Sequence, residues 1–128
     1  MSIRLERRVI RKTANYTINT NQDRPGTTFT NGGAAGAITF TLPTPSKGVL
    51  GWWYRFIGAA DQLVTVVPPV ADTLVIFNDL AADSIAFGGA GQRIGAVIGV
   101  ICIETASGTY QWAVEDAGTN GVTFATAT

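Results

Sequence analysis

Apolar and polar residues alternate with a period of two along much of this chain. In residues 37–42, Ile38, Phe40 and Leu42 fall on one side and Thr39 and Thr41 on the other, the pattern of a strand with one buried face. Asn31-Gly32-Gly33 before it and Pro43-Thr44-Pro45 after it supply turn residues. The grammar then repeats. Residues 52–57 form an aromatic-rich strand, 62–67 a strand stopped by Pro68-Pro69, and 72–77 follow at once. A polar stretch over 78–84 leads to 85–87, and Gly88-Gly89-Ala90-Gly91 turns the chain into the apolar run 93–104. Ser107-Gly108 precedes 109–115, where Tyr110, Trp112 and Val114 share one face.

Turns every 8–12 residues or so, with no window of helical periodicity, predict a sandwich or barrel of short strands. Gly95 and Gly99 interrupt the run 93–104, which reads as a buried central strand with bulges. Residues 3–10 alternate irregularly and carry too many arginines for a core strand, so they are expected as an extended arm. The end, 120–128, is small and polar apart from Val122 and Phe124, an edge strand or a tail. The expectation is an all-β, antiparallel β-sandwich or jelly-roll-like single domain over 14–128, with a basic N-terminal arm over 1–13.

Composition narrows the class. At 128 residues there is room for one core. Hydrophobic residues make up 46% and charged ones only 14%, well under the roughly 25% of an ordinary soluble domain. Other copies or other proteins are therefore expected to cover part of the surface. The formal charge of zero hides an asymmetry: Arg4, Arg7, Arg8, Arg11 and Lys12 face only Glu6, a net +4, and the rest of the chain carries −4. Such an arm is an electrostatic handle for an acidic partner. Because the body is acidic and the aromatics lie apart from the basic cluster, docking on protein is expected ahead of nucleic acid. The longest apolar run is about half of what a membrane helix needs, and no apolar segment of signal-peptide type follows Met1. No membrane association is expected, and synthesis in a cytoplasm fits.

The candidate chemistry is sparse. Without histidine there is no Ser-His-Asp triad, Cys-His dyad or histidine metal site. Cys102, between Ile101 and Ile103, reads as a buried small hydrophobe rather than a nucleophile. Glu115 and Asp116 point to opposite faces of a strand end, and Asp79 and Asp83 read as solvated loop charges, so neither pair suits acid–base work. The stretch 88–93 lacks the Gly-Lys-Ser/Thr of a phosphate loop. No enzyme activity, cofactor or metal is expected. Alternation puts Trp52 with Tyr54 on one face and Trp53 with Arg55 on the other. One face is core, and the other is a subunit contact or a ligand platform.

One phrase has a familiar form. Residues 30–43, Thr30-Asn31-Gly32-Gly33 through Thr39-Phe40-Thr41-Leu42-Pro43, resemble a segment of tailed-phage virion proteins in which an Asn-x-Gly-Ala turn enters a "TFTLP" strand. Gly51-Trp52-Trp53-Tyr54-Arg55-Phe56, Asp72-Thr73-Leu74 and Gly108-Thr109-Tyr110-Gln111-Trp112-Ala113-Val114 are similar to later strands of that group, so the resemblance covers roughly residues 28–114. It implies a β-structure without catalytic residues, usually homotrimeric, of the kind found in head decoration (cement) proteins, head fibres and tail-fibre modules. A short arm on a 128-residue chain fits decoration better than a fibre tip. The expected partners are the major capsid protein and other copies of the chain, on the capsid surface of the virion. Arg4, Arg7, Arg8, Arg11 and Lys12 are the candidate capsid contacts, and Trp52, Trp53 and Arg55 the candidate subunit contact. A receptor- or glycan-binding module anchored by Trp52 or Trp53 is the alternative.

Overall fold

A computed structural model describes residues 7–117 throughout, together with the strand formed by residues 123–126. Among these, eleven strands build one curled sheet: β1 (Val9–Arg11), β2 (Tyr16–Thr17), β3 (Thr28–Thr30), β4 (Ile38–Thr41), β5 (Trp53–Ile57), β6 (Val64–Val67), β7 (Leu74–Ile76), β8 (Asp79–Ala86), β9 (Val97–Ala106), β10 (Thr109–Asp116) and β11 (Thr123–Thr126). The order across the sheet is β1-β3-β5-β9-β10-β7-β8-β6-β4-β2, with β11 paired to β8. The expected all-β single domain is what the chain forms.

The pairing is mixed rather than purely antiparallel. Through the first six strands the chain passes alternately between the two ends of the sheet. Each strand therefore pairs with the next but one, running the same way: β1 with β3 and β3 with β5 at one end, β2 with β4 and β4 with β6 at the other. Antiparallel pairing begins where hairpins do. β7 and β8 turn through Phe77-Asn78, and β9 and β10 through Ser107-Gly108. The polar residues 79–84 are part of β8 rather than a loop. Their charged side chains are half-buried, and Ala82 and Ile85 face the core. Val9–Arg11 belongs to the sheet as an edge strand, so that part of the arm is integral to the domain.

Curling brings the two ends face to face around a core of aromatic side chains. The register aligns Ile10, Phe29, Phe56 and Ile98 across one half, and Tyr16, Phe40, Val66 and Ile85 across the other. Phe40 sits 5.4 Å from Phe29 and 5.1 Å from Phe56 between ring centroids, in the tilted geometry that ring quadrupoles favour. Each such buried ring stabilises the fold by about 2–3 kcal/mol.

Two polar side chains fasten the crossings between the halves. Buried Asn31 accepts the amide hydrogens of Ala59 and Ala60 at 2.8 and 3.0 Å and donates to the Ala60 carbonyl at 3.2 Å. The indole of fully buried Trp112 donates to the Pro43 carbonyl at 2.7 Å. β9 is a central strand flanked by β5 and β10, but the run expected from residue 93 becomes strand only at Val97, with Gly95 in the turn before it at a φ of 85°; the extra residue lies opposite Gly99 on β10, between Val114 and Asp116.

Backbone packs directly on backbone at Gly58. It donates to the Ala96 carbonyl and accepts from Gly95, and a Cβ placed there would lie 2.0 Å from the Arg93 carbonyl oxygen. Gly58→Ala is expected to destabilise the protein by about 3 kcal/mol, measured by urea unfolding. Gly36→Ala, whose Cβ would meet nothing within 4 Å, should stay within about 0.5 kcal/mol of the parent.

Candidate interaction surface

The outward face of the half-sheet β5-β9-β10-β7 follows from strand alternation. With Tyr54, Phe56, Ile98, Val100, Cys102 and Trp112 turned into the core, their sequence neighbours point out. One register row carries Trp53, Ile101, Ala113 and Val75 across four strands, and Ile57 and Val97 lie alongside. All six are half-buried rather than covered. Within this field Arg55 donates to Asp116 at 2.7 Å across the line of Gly99. With 27% and 44% of their side chains exposed, this pair adds little stability of its own. Its two charges offset each other.

The tryptophans separate as alternation requires. Trp52 packs against the core, and Trp53 and Arg55 lie on the outer face. The Trp53 ring is flanked by Gly26, where a Cβ would approach to 3.1 Å, and by the Arg7 guanidinium, 5.4 Å from the ring centroid. Gly26 can occupy that position because its φ of 83° costs glycine nothing.

The basic residues of the N-terminal segment are drawn onto the body. Arg11 donates to the Gly32 carbonyl at 3.1 Å, and the Lys12 ammonium lies 3.9 Å from the centroid of Tyr16. Arg8 reaches the Gln22 carbonyl at 2.8 Å and the Asp23 carboxylate at 3.4 Å. Arg4 lies outside the described residues.

Asp23, which no sequence motif marks, organises this region. Its residue is 2% exposed. Its carboxylate accepts the Tyr16 hydroxyl at 2.6 Å and the Asn19 amide at 2.9 Å as well as Arg8, and its backbone carbonyl accepts the Tyr54 hydroxyl at 2.8 Å. Burial first, then the neighbouring carboxylate, pushes both phenols up to about 12. The only sequence signal is Asn19 four residues before Asp23, the ends of a turn closed by the Asp23 amide on the Asn19 carbonyl.

The remaining candidates sit apart. Cys102 is buried, and desolvation raises its thiol pKa, opposed in part by a backbone hydrogen bond from Ser46. Asp83 accepts the Asp72 amide, and Asp79 accepts that of Ala81; Glu115 is exposed beside the paired Asp116. An open groove of about 510 Å³ beside β2, lined in part by Thr17, Asn19, Thr41 and Ser46, contains no charged side chain. No helix of the described residues is long and apolar enough to cross a membrane. No protein-family model matches the sequence, and no curated protein does.

Three outcomes follow from the Asp23 cluster. Asp23→Ala strands the Tyr16 hydroxyl and the Asn19 amide and should cost about 3 kcal/mol in denaturant unfolding. Phenols whose folded pKa rises from 10 to about 12 stabilise the fold fully below pH 10 and progressively less as pH climbs toward 12. The urea midpoint should therefore fall across that window together with the rise of phenolate absorbance. Tyr54→Phe should lose about 1 kcal/mol at neutral pH and show a shallower alkaline decline.

Proposed function

We propose that this chain is a structural protein of a tailed-phage virion, a capsid decoration protein that binds between capsid subunits as a homotrimer. The resemblance of residues 28–114 to phage β-modules supplies the class. The observation that carries the reading is the neutral apolar row Trp53–Ile101–Ala113–Val75 on an outward sheet face. Its side chains keep part of their apolar surface in contact with solvent, and tryptophan and arginine are enriched where proteins meet.

Docking of this kind needs shape and apolar area rather than a reactive group. The sheet holds the row rigid, and the Arg55–Asp116 pair discourages a highly charged partner from sitting on it. Arg7, held over Trp53, places positive charge at the rim of the field, and Arg4 is its sequence neighbour on the same segment. Together they would steer the protein to an acidic capsid surface. Arg8, Arg11 and Lys12 are engaged within the fold and are the weaker capsid candidates. The glycan-anchor reading gains nothing from Trp52, which packs on the core.

Deleting residues 1–12 would remove β1 together with Arg8, so the discriminating variants are substitutions. Arg4→Glu with Arg7→Glu, and separately Ile101→Asp, should each lower occupancy on heads of the cognate phage by about tenfold or more, with the circular dichroism of the folded protein retained. Occupancy equal to wild type in both variants would overturn the reading.

A further inference from the structure

Asn31 and Asn120 are the asparagines of this chain that precede a glycine. In such a pair the main chain can attack the side chain. The Gly32 amide nitrogen, with no Cβ beside it, bonds to the side-chain carbonyl carbon of Asn31. The bond from that carbon to the side-chain nitrogen breaks, and ammonia leaves carrying the Gly32 amide proton. Water then opens the cyclic imide at one carbonyl or the other. The product is aspartate, or its isomer joined to Gly32 through the side chain, and nothing is oxidised or reduced.

The fold holds Asn31 out of this reaction. The residue is 0% exposed, which keeps away the water that the second step consumes. Its side-chain oxygen accepts the Ala59 and Ala60 amides at 2.8 and 3.0 Å, and its side-chain nitrogen, the leaving group, donates to the Ala60 carbonyl at 3.2 Å. The main chain is pinned as well, by the Ala34 amide on the Asn31 carbonyl at 2.9 Å. Closing the imide ring means rotating the side chain out of its bonds inside the protein, where each unmade bond costs its full desolvation.

Neither product fits the native site. In aspartate an oxygen stands where the nitrogen donated, so two acceptors face each other at Ala60 and a charge enters a buried place. In the isomer the main chain passes through the former side chain and gains an atom directly after β3, which pairs with β1 on one side and β5 on the other. The tie from the end of β3 to Ala59 and Ala60 is lost in both.

We infer that Asn31 is a self-modification site that the fold keeps closed, and that a chain modified there does not return to the native sheet. Folding then competes with a chemical clock. A chain that folds promptly is protected, and one left unfolded is removed from the pool able to fold. The inference needs only this chain and water, so it is independent of the function proposed above.

The test holds the full chain in mildly alkaline buffer with and without guanidinium chloride, then refolds it and maps its peptides. In denaturant, acid should accumulate at residue 31 and the yield of refolded protein should fall in step. Without denaturant, residue 31 should stay an amide over the same time. The refolded fraction should carry intact Asn31, with the acid concentrated in the fraction that fails. Gly32→Ala should keep its refolding yield, because the methyl group hinders ring closure. The fold accepts that methyl: Gly32 lies outside the left-handed region, and a Cβ would meet the Arg11 side chain at 3.2 Å and the Ala59 Cβ at 3.7 Å. Asn120 is unchanged in this variant, so any loss that it causes would persist. Asn31→Asp should lower the ratio of folded to unfolded protein about a hundredfold. Acid at residue 31 that accrues equally fast in the folded protein, or not at all in denaturant, overturns the protected site. Equal acid in the refolded and failed fractions, Gly32→Ala losing yield as wild type does, or Asn31→Asp as stable as the parent overturns the exclusion of modified chains.

Discussion

The Asp23 carboxylate, carried into the interior, holds together the part of the molecule least able to hold itself. β1 and β2 are three and two residues long, too short for their ladders alone to fix them against the sheet. Asp23 binds the side chain leading into the first, through Arg8, and the aromatic residue of the second, through Tyr16, and its own carbonyl anchors Tyr54 of β5. A buried carboxylate is costly unless its lone pairs are occupied. Here a hydroxyl, an amide and a guanidinium occupy them, and charge-assisted bonds of this kind are about twice as strong as neutral ones. The first crossing of the chain is thus fixed by one side chain rather than by strand length.

The later crossings use the same device with neutral groups. Asn31 closes the passage from β3 to the β5–β6 turn, and Trp112 ties β10 to the end of β4. Each is buried, and each bonds backbone rather than another side chain. The aromatic core supplies the bulk of the free energy through burial, and these bonds decide which half faces which. Directionless burial and directional bonds therefore divide the work, the one setting stability and the other arrangement. With the inside so specified, the outside of the half-sheet β5-β9-β10-β7 is left to carry an apolar row.

Much of this was legible in the chain. Alternation over 52–57 separates Trp52 and Tyr54 from Trp53 and Arg55, of which the structure turns the first pair toward the core, and most of the apolar run 93–104 is a central strand. Pairing direction was not legible, because a period of two says which face is buried and nothing about which strand lies alongside. Thr28–Thr30 and Val9–Arg11 are too short to show periodicity at all. The polar composition of 79–84 concealed a strand because the hairpin exposes one of its sides. Asp23 was hidden for a different reason: its partners Arg8, Tyr16 and Tyr54 lie 15, 7 and 31 residues away, and no local motif records such a convergence. Glycine patterns marked turns well but gave no hint that Gly58 is a contact between two backbones.

The alternating path of the first six strands also bears on how the molecule can be made. Each of β3 to β6 pairs with a strand that precedes it by two, so that partner has already left the ribosome when the next strand emerges. The growing chain can wind upon itself turn by turn, with the free edges of β5 and β6 left for the later strands β9 and β8. Only the hairpins β7–β8 and β9–β10 convert this open coil into a closed curl, because β9 and β10 complete the links from β5 to β7. Non-local pairing ordinarily slows folding and prolongs exposure of unpaired edges. Here the order of synthesis and the order of winding coincide until the last third of the chain, where the closing step is concentrated.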